Sequence, residues 1–502
     1  MLKTKRELGF FDALMMGLSG AIGFEIFVLL DYAYFHLAGP SVGLALLLAG
    51  LINLIIMFSY CELGAAMPEV GGEYTYIKAA YSGSVAFISG CFRWLASVFA
   101  AALATVCFTQ QLSYIFSIVA PTVESFVSAQ TPLIAVFVVI VFVALDIKGV
   151  KKLGAIIVVV FIAIFAIFIA SGLLCELTPL EILPTQPLEG LPKAFAATVY
   201  MFPMFFGMRA LIAGGALIKR PEKNVPKAIL LSALLITPLY IGLAYVAAGV
   251  VPLGEDYDKP LLNLAAEIIM PGVGGALFAI AGMVASLSAL GTSLMVQSSI
   301  ARGMSRDGYL PKVLLSIHRR FGTPYVAIIT GSLFIMILSG IGAVPFLGYA
   351  ASFGSLIVFA LVNLSLIKLR KKKPYMERPF KTPLYPFTPI AGIILSIALL
   401  VSPMLLGEEP AIVAFISSAG LTALVLMAYY LRMIGLHRLQ IAIGGAVLGI
   451  GVSLVLLTCL VEAGVMSPVF PFIPSYIMFL IGAISIIAGI LNATAHLQKQ
   501  PP

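Results

Sequence analysis

The stretch GLSGAIGFEIFVLL, Gly17 to Leu30, decides the reading of this chain. Its surroundings are lipid-soluble in character, yet three glycines recur at a spacing of three (Gly17, Gly20, Gly23) and an acid, Glu25, follows within the apolar run. A helix crossing a bilayer gains nothing from weak helix formers and a charge at that density. Unwound backbone at membrane depth is tolerated only where protein or a water-filled cavity satisfies its polar groups. The stretch therefore predicts an interrupted spanning helix that serves a site.

Composition supports a membrane setting. Of 502 residues, 61% are hydrophobic and only 10% charged, with a mean hydropathy of +1.10. Soluble domains are about half apolar and about a quarter charged. A bilayer core takes roughly 20 apolar residues per helix. On that template fourteen segments emerge: 10–36, 40–66, 84–118, 131–147, 153–175, 193–217, 226–252, 271–303, 324–341, 345–369, 384–406, 410–434, 439–462 and 472–494. The basic start, MLKTKRELGFF, precedes an apolar segment too long for a signal peptide, so it is expected to be retained.

The loop charges test the count. With the N-terminus inside, the presumed cytoplasmic segments hold 26 of the 30 lysines and arginines. The outer loops hold Lys193 and Lys259 beside acids such as Glu176, Glu181, Glu255, Asp256, Asp258, Glu408 and Glu409. This satisfies the positive-inside rule with both termini cytoplasmic. It also accounts for the net charge of +8 without nucleic acid, because the charge faces anionic lipid. The five cysteines lack metal-binding spacing. Neither an HExxH motif, a nucleotide loop nor clustered catalytic carboxylates is present, and the four histidines lie near loops, so an enzyme is disfavoured. A channel would lack a saturable site at the midplane.

Two basic residues, Arg93 and Arg209, fall inside spans and become functional candidates by cost alone. Arg209 belongs to a second interrupted span, the sixth, which also carries Pro203, Gly207, Gly214 and Gly215. Interrupted helices at corresponding places in two five-helix units point to an inverted-repeat transporter. The free N–H groups of such breaks suit a carboxylate and the free carbonyls suit an ammonium, an arrangement matched to an amino acid. Close helix packing by glycine is the competing explanation for either segment alone.

Five motifs in order, GAIGFEIFV, YCELGAAMPEVGGEYTYIKAAY, IKRPEKNVPKAI, SSIARGMSRDGYLPKVLLSIHRRFGTPYVAI and RPFKTPLYPFTPI, resemble the amino acid–polyamine–organocation superfamily of secondary transporters, nearest its amino acid permeases. The resemblance covers roughly residues 5–405. It implies an all-α membrane protein with a ten-helix core of two inverted five-helix repeats over residues 1–380, and about four accessory helices over 381–502. It further implies substrate held by Ser19, Gly20, Ala21, Ile22 and Gly23 in the first helix and by Phe202, Phe205, Phe206 and Gly207 in the sixth. Two departures from the family pattern, Glu25 and Arg209, suggest an ion pair beside the substrate; the alternative is that Arg209 snorkels or meets a helix end. Glu62 is expected to brace a cytoplasmic loop, and Arg93, beside the single tryptophan Trp94, to be structural.

The coupling ion stays open. The fifth span, LGAIIVVVFIAIFAIFIASG, has no lysine of the kind that serves proton-coupled members. Thr292 and Ser293 sit where sodium-coupled relatives place a hydroxyl pair, so sodium is possible, against ordinary back-bonding to the helix. No cofactor is expected. The reading is a cell-membrane symporter or antiporter for an amino acid, neutral or small side chains preferred, with a polyamine or other organic cation as the alternative.

Overall fold

The computed structural model describes residues 8–67, 72–81, 83–148, 154–175, 177, 187–209, 211, 218–253, 259–433, 439–462 and 475–494. Gly214, Gly215, the outer-loop acids Glu176, Glu181, Glu255, Asp256 and Asp258, and the basic residues at 3–6, 151–152, 438 and 499 lie outside them. Among the described residues the chain is all helix and turn, with one isolated β-bridge joining Leu8 to Ile218. A helix falls on every one of the fourteen apolar segments.

The helices are α1 (Phe10–Ala21), α2 (Glu25–Tyr32), α3 (Val42–Ala66), α4 (Glu73–Ala80), α5 (Gly83–Val119), α6 (Pro121–Ala129), α7 (Thr131–Lys148), α8 (Gly154–Gly172) and α9 (Pro187–Met201). There follow α10 (Pro221–Val250), α11 (Leu261–Ile269), α12 (Gly274–Arg306), α13 (Tyr325–Ile341), α14 (Val344–Lys372), α15 (Phe387–Leu405), α16 (Glu409–Met433), α17 (Leu439–Glu462) and α18 (Ser475–Thr494). Seven apolar helical stretches are long enough to cross a membrane among the described residues, the first running from Phe10 to Ala66 through both α1–α2 and α3. Shorter apolar helices add to them, Val158–Gly172 and Tyr325–Ile341 among them.

Burial separates the centre from the rim. The most apolar windows of α5 and α14 are 72% buried inside the protein, that of α7 only 17%. The rim helices present bare Leu133, Phe137, Ile140, Ile167, Leu333 and Ile337. Contiguous apolar surface on this scale marks a membrane-facing exterior. In the centre, α5 packs along α12 and α14, and α3 along α10. Trp94 of α5 donates its indole N–H to Gln297 Oε1 of α12 at 3.1 Å and sets its ring edge-on to Phe334, 5.4 Å away. At the far end of the chain α16 packs on α14, and α17 and α18 pack on each other.

One end of the bundle gathers the charge chemistry of its connections. Glu62, fully buried at the end of α3, accepts from Arg370 through both oxygens (2.9 and 2.6 Å) and from the Thr382 N–H at 2.7 Å, and forms an ion pair with Arg378 at 3.3 Å. A carboxylate held this way fastens α3 to the end of α14 and to the connection into α15, as a brace would. Asp307, at the end of α12, accepts from Tyr74 at 2.6 Å and pairs with Lys78 at 2.7 Å. Burial opposes its charge, but Lys78 and Tyr74 outweigh that and hold its carboxyl below the usual range. We call this the basic end.

Candidate functional site

The first interruption lies where the glycines predict it. Helix α1 stops at Ala21, and Ile22 turns out of the helix at φ −73°, ψ 81°. The Gly23 N–H reaches back to Ala21 O at 2.8 Å, closing an inverse γ-turn. Phe24 restarts the chain and α2 begins at Glu25. The carbonyls released by the break find partners from neighbouring helices: the Tyr240 hydroxyl of α10 donates to Ala21 O, and the Cys107 thiol of α5 lies 3.8 Å from Phe24 O.

The second interruption is of another kind. After α9 the chain tightens into a 3₁₀ helix, Phe202–Met208, with Pro203 in its first turn. Tight helical stretches within a longer helix mark hinges. Phe202 and Phe205 are buried, Phe205 against Tyr240. Phe206 and Gly207 are half-buried. Phe202, Phe206 and Phe359 of α14 form a cluster with ring centroids 5.5–6.1 Å apart, edges to faces.

The two interruptions touch. A Cβ at Gly20 would overlap the Gly207 carbonyl, and one at Gly207 would overlap the backbone of Gly20. Only glycine allows main chain to approach main chain this closely. Ser19 and Gly20 on one side and Phe206 and Gly207 on the other are half-buried, whereas Ala21, Ile22 and Gly23 are buried. The structure thus brings Gly20 against Gly207, and turns Phe202 and Phe205 into packing rather than toward open space.

The expected ion pair between Glu25 and Arg209 does not form. Arg209, almost fully buried, directs its guanidinium away from α2: Nη1 lies 3.4 Å from Glu73 Oε1, Nη2 donates to Ser355 at 3.2 Å and Nε to Phe206 O at 3.3 Å. It also sits over the rings of Phe206 and Phe359, 4.3 and 5.0 Å from their centroids, an arrangement that stabilises a desolvated cation. Glu73 in turn accepts from Arg93 Nε at 2.8 Å and from Tyr60 at 3.1 Å. Burial opposes the charge of Glu73, yet Arg209 and Arg93 outweigh it and keep the carboxyl below the ordinary range. Both in-span arginines therefore share one acid, supplied by the connecting helix α4.

Glu25 has no such partner. Its side chain folds back so that Oε2 fills the place where a Gly23 side chain would stand, and that oxygen is sealed from solvent without a hydrogen-bond donor. Among the described residues no lysine, arginine or histidine pairs with it. In α12, Thr292 donates to Ser288 O of its own helix at 2.9 Å, the back-bonded arrangement, and Ser293 is half-buried.

Glu73 escaped the sequence reading because the search for a counter-charge stayed within the spans. The signal was present: two in-span arginines require acid, and the motif GGEYTYIKAAY delivers one at the membrane's edge.

Residues 8–416 match the amino acid permease family. A branched-chain amino acid permease of Bacillus subtilis is 28% identical over 413 residues, 79% of this chain and 88% of the relative. A methylthioribose transporter of the same organism is 26% identical, covering 78% and 87%, and its serine/threonine exchanger 23%, covering 78% and 89%. With its interrupted helices in contact and its family matched over most of the sequence, the chain belongs to the amino acid permeases, transporters of the amino acid–polyamine–organocation superfamily.

Proposed function

We propose that the protein carries a neutral amino acid by alternating access, bound where the break at Ile22–Phe24 meets the 3₁₀ segment Phe202–Met208. The observation that carries this reading is the Gly20–Gly207 contact, which joins two interrupted helices at partly accessible backbone. Helix ends of opposite polarity at such a junction complement a zwitterion. The half-buried Phe206 ring offers an apolar, movable wall beside it, suited to a small or aliphatic side chain. The relatives named for branched-chain amino acids and for serine and threonine are in keeping with that size range.

Arg209 has a positioning role in this reading. Glu73, which it shares with Arg93, lies 3.4 Å from its guanidinium, while its bond to the Phe206 carbonyl couples the 3₁₀ segment to α4. We place the basic end, and both termini, in the cytoplasm, with α4 as part of the inner closure. An organic cation is less well served, because the Arg209 guanidinium lies against Phe206, 4.3 Å from the ring centroid, and puts positive charge beside the junction. Counterflow in proteoliposomes tests the proposal: internal leucine, valine, serine and threonine should exchange with labelled external substrate, and putrescine should not. Exchange of putrescine alone would overturn it.

A further inference from the structure

We infer that Glu25 selects substrates by charge, as the ligand of the ammonium group of the transported amino acid. The inference rests on the amino acid transport just proposed. From Ala21 to Leu30 every residue is buried except Glu25, which is half-buried at the start of α2. Ile26 to Leu30 cover every face of that helix and are all buried, so the exposure of Glu25 opens into the bundle and not to lipid. Oε2 is closed against Gly23, and Oε1 is not. A carboxylate this deep in a membrane protein is costly without a counter-charge. Among the described residues no lysine, arginine or histidine supplies one, and a substrate ammonium brings it.

The 3₁₀ side of the junction carries the opposite sign. Arg209 and Arg93 share Glu73, which leaves one positive charge in excess. Arg209 also holds the Phe206 carbonyl at 3.3 Å, next to the Gly207 backbone that meets Gly20. The junction is thus flanked by a negative side chain after the first break and a net positive cluster after the second. A zwitterion with its ammonium at Glu25 Oε1 and its carboxylate toward Phe206 and Gly207 opposes both charges; the reverse orientation sets like charges together.

A metal ion is the poorer occupant. Two carbonyls of the break, Ala21 O and Phe24 O, are already met by Tyr240 and Cys107, and Thr292 back-bonds to its own helix. Among the described residues no group of three acids, histidines or cysteines stands together to hold a metal. An ammonium carries its own three donors and needs no shell built in advance. A cation lacking a carboxylate satisfies Glu25 but leaves the arginine side unopposed.

The test measures ligand binding to the purified full-length protein by thermal stabilisation. The ligands are whichever of leucine, valine, serine and threonine exchanges best in counterflow, and its deamino counterpart: 4-methylpentanoate for leucine, 3-hydroxypropanoate for serine. Wild type should bind the amino acid and reject the counterpart, whose carboxylate meets Glu25 with no ammonium between. Glu25→Gln should weaken the amino acid roughly tenfold to hundredfold, the worth of one hydrogen bond to a charged group. The counterpart should bind that variant no worse than wild type. Opposite responses identify a charge contact, since a structural fault weakens both ligands alike. Equal weakening of the two, or unchanged affinity for the amino acid, would overturn the assignment. So would a sodium requirement for amino acid binding that Glu25→Gln removes. Failure of all four amino acids in wild-type counterflow fails the transport reading and this role with it; intact counterflow with unchanged affinity in the variant fails this role alone. Should the variant not fold, carbodiimide labelling of the wild type decides: Glu25 should be modified, the amino acid should protect it, and the deamino counterpart should not. Label at Glu25 that is absent, or indifferent to the amino acid, overturns the assignment.

Discussion

The two interrupted helices solve the same problem in opposite ways. The break in the first is short, lined by glycine, and its one charged side chain is left without a counter-charge. The second is a seven-residue 3₁₀ stretch whose charged residue is enclosed by an acid, a hydroxyl, a carbonyl and two aromatic rings. A fully partnered charge contributes to a fixed shape, whereas an unpartnered one is available to change state. The difference teaches that Arg209 belongs to the architecture of the junction, whereas Glu25 opens α2 with one oxygen unpartnered.

The sharpest way to break this contrast is at Glu73. Replacing it with alanine strands the buried guanidinium of Arg209 and the partly buried one of Arg93, and removal of one partner from a buried pair costs about 3–5 kcal/mol. Thermal unfolding in detergent should show a large loss, while Glu25→Gln should unfold close to wild type. Equal losses would abolish the distinction. A double change, Glu73→Gln with Arg209→Gln, should recover part of the stability lost by either alone, since the cost lies in the orphaned partner.

Next in size is the contact between the breaks. Gly207→Ala forces a methyl group into the Gly20 backbone, and overpacking at that level costs up to about 3 kcal/mol. Uptake should be abolished even in the fraction that folds, because the junction can no longer close. A smaller effect is expected for Tyr240→Phe, which removes one donor from Ala21 O and leaves the Gly23 N–H bond in place. About 1 kcal/mol of stability should be lost, with a change in uptake rate that identifies the hydroxyl as a support of the first break.

The smallest effect lies at the basic end. Lys78 is largely exposed, so Lys78→Ala should cost below about 1 kcal/mol. The pH dependence has a defined sign. Because the folded protein holds Asp307 below its ordinary value of about 3.8, its contribution is present above that value and is lost as pH falls further. Unfolding followed from pH 6 down to pH 3 should show the wild-type advantage over Lys78→Ala shrinking only in the acid part of that range.

Much of this was legible before any coordinates. Apolar run lengths place helices on fourteen segments because backbone groups in lipid must bond within their own helix, which makes helix the default for such runs. The break at Gly17–Glu25 was legible for the complementary reason, since those residues oppose that default. Glu62 reads as a brace and is one. For the partner of Arg209 only the need for an acid and a candidate motif were legible, because sequence spacing along spans says nothing about how deeply a connecting helix such as α4 is drawn into the bundle. Nor could hydroxyls distinguish a cation site from back-bonding at Thr292: both use the same side chain, and only the direction of the O–H separates them.

The single tryptophan has a practical consequence. Trp94 bridges α5 and α12 through its bond to Gln297 and rests on Phe334 of α13, and no other indole contributes background. Intrinsic fluorescence of the unlabelled protein is therefore an optical gauge of one helix interface. A shift in its emission when substrate is added would time the rearrangement of that interface directly, with no engineered dye.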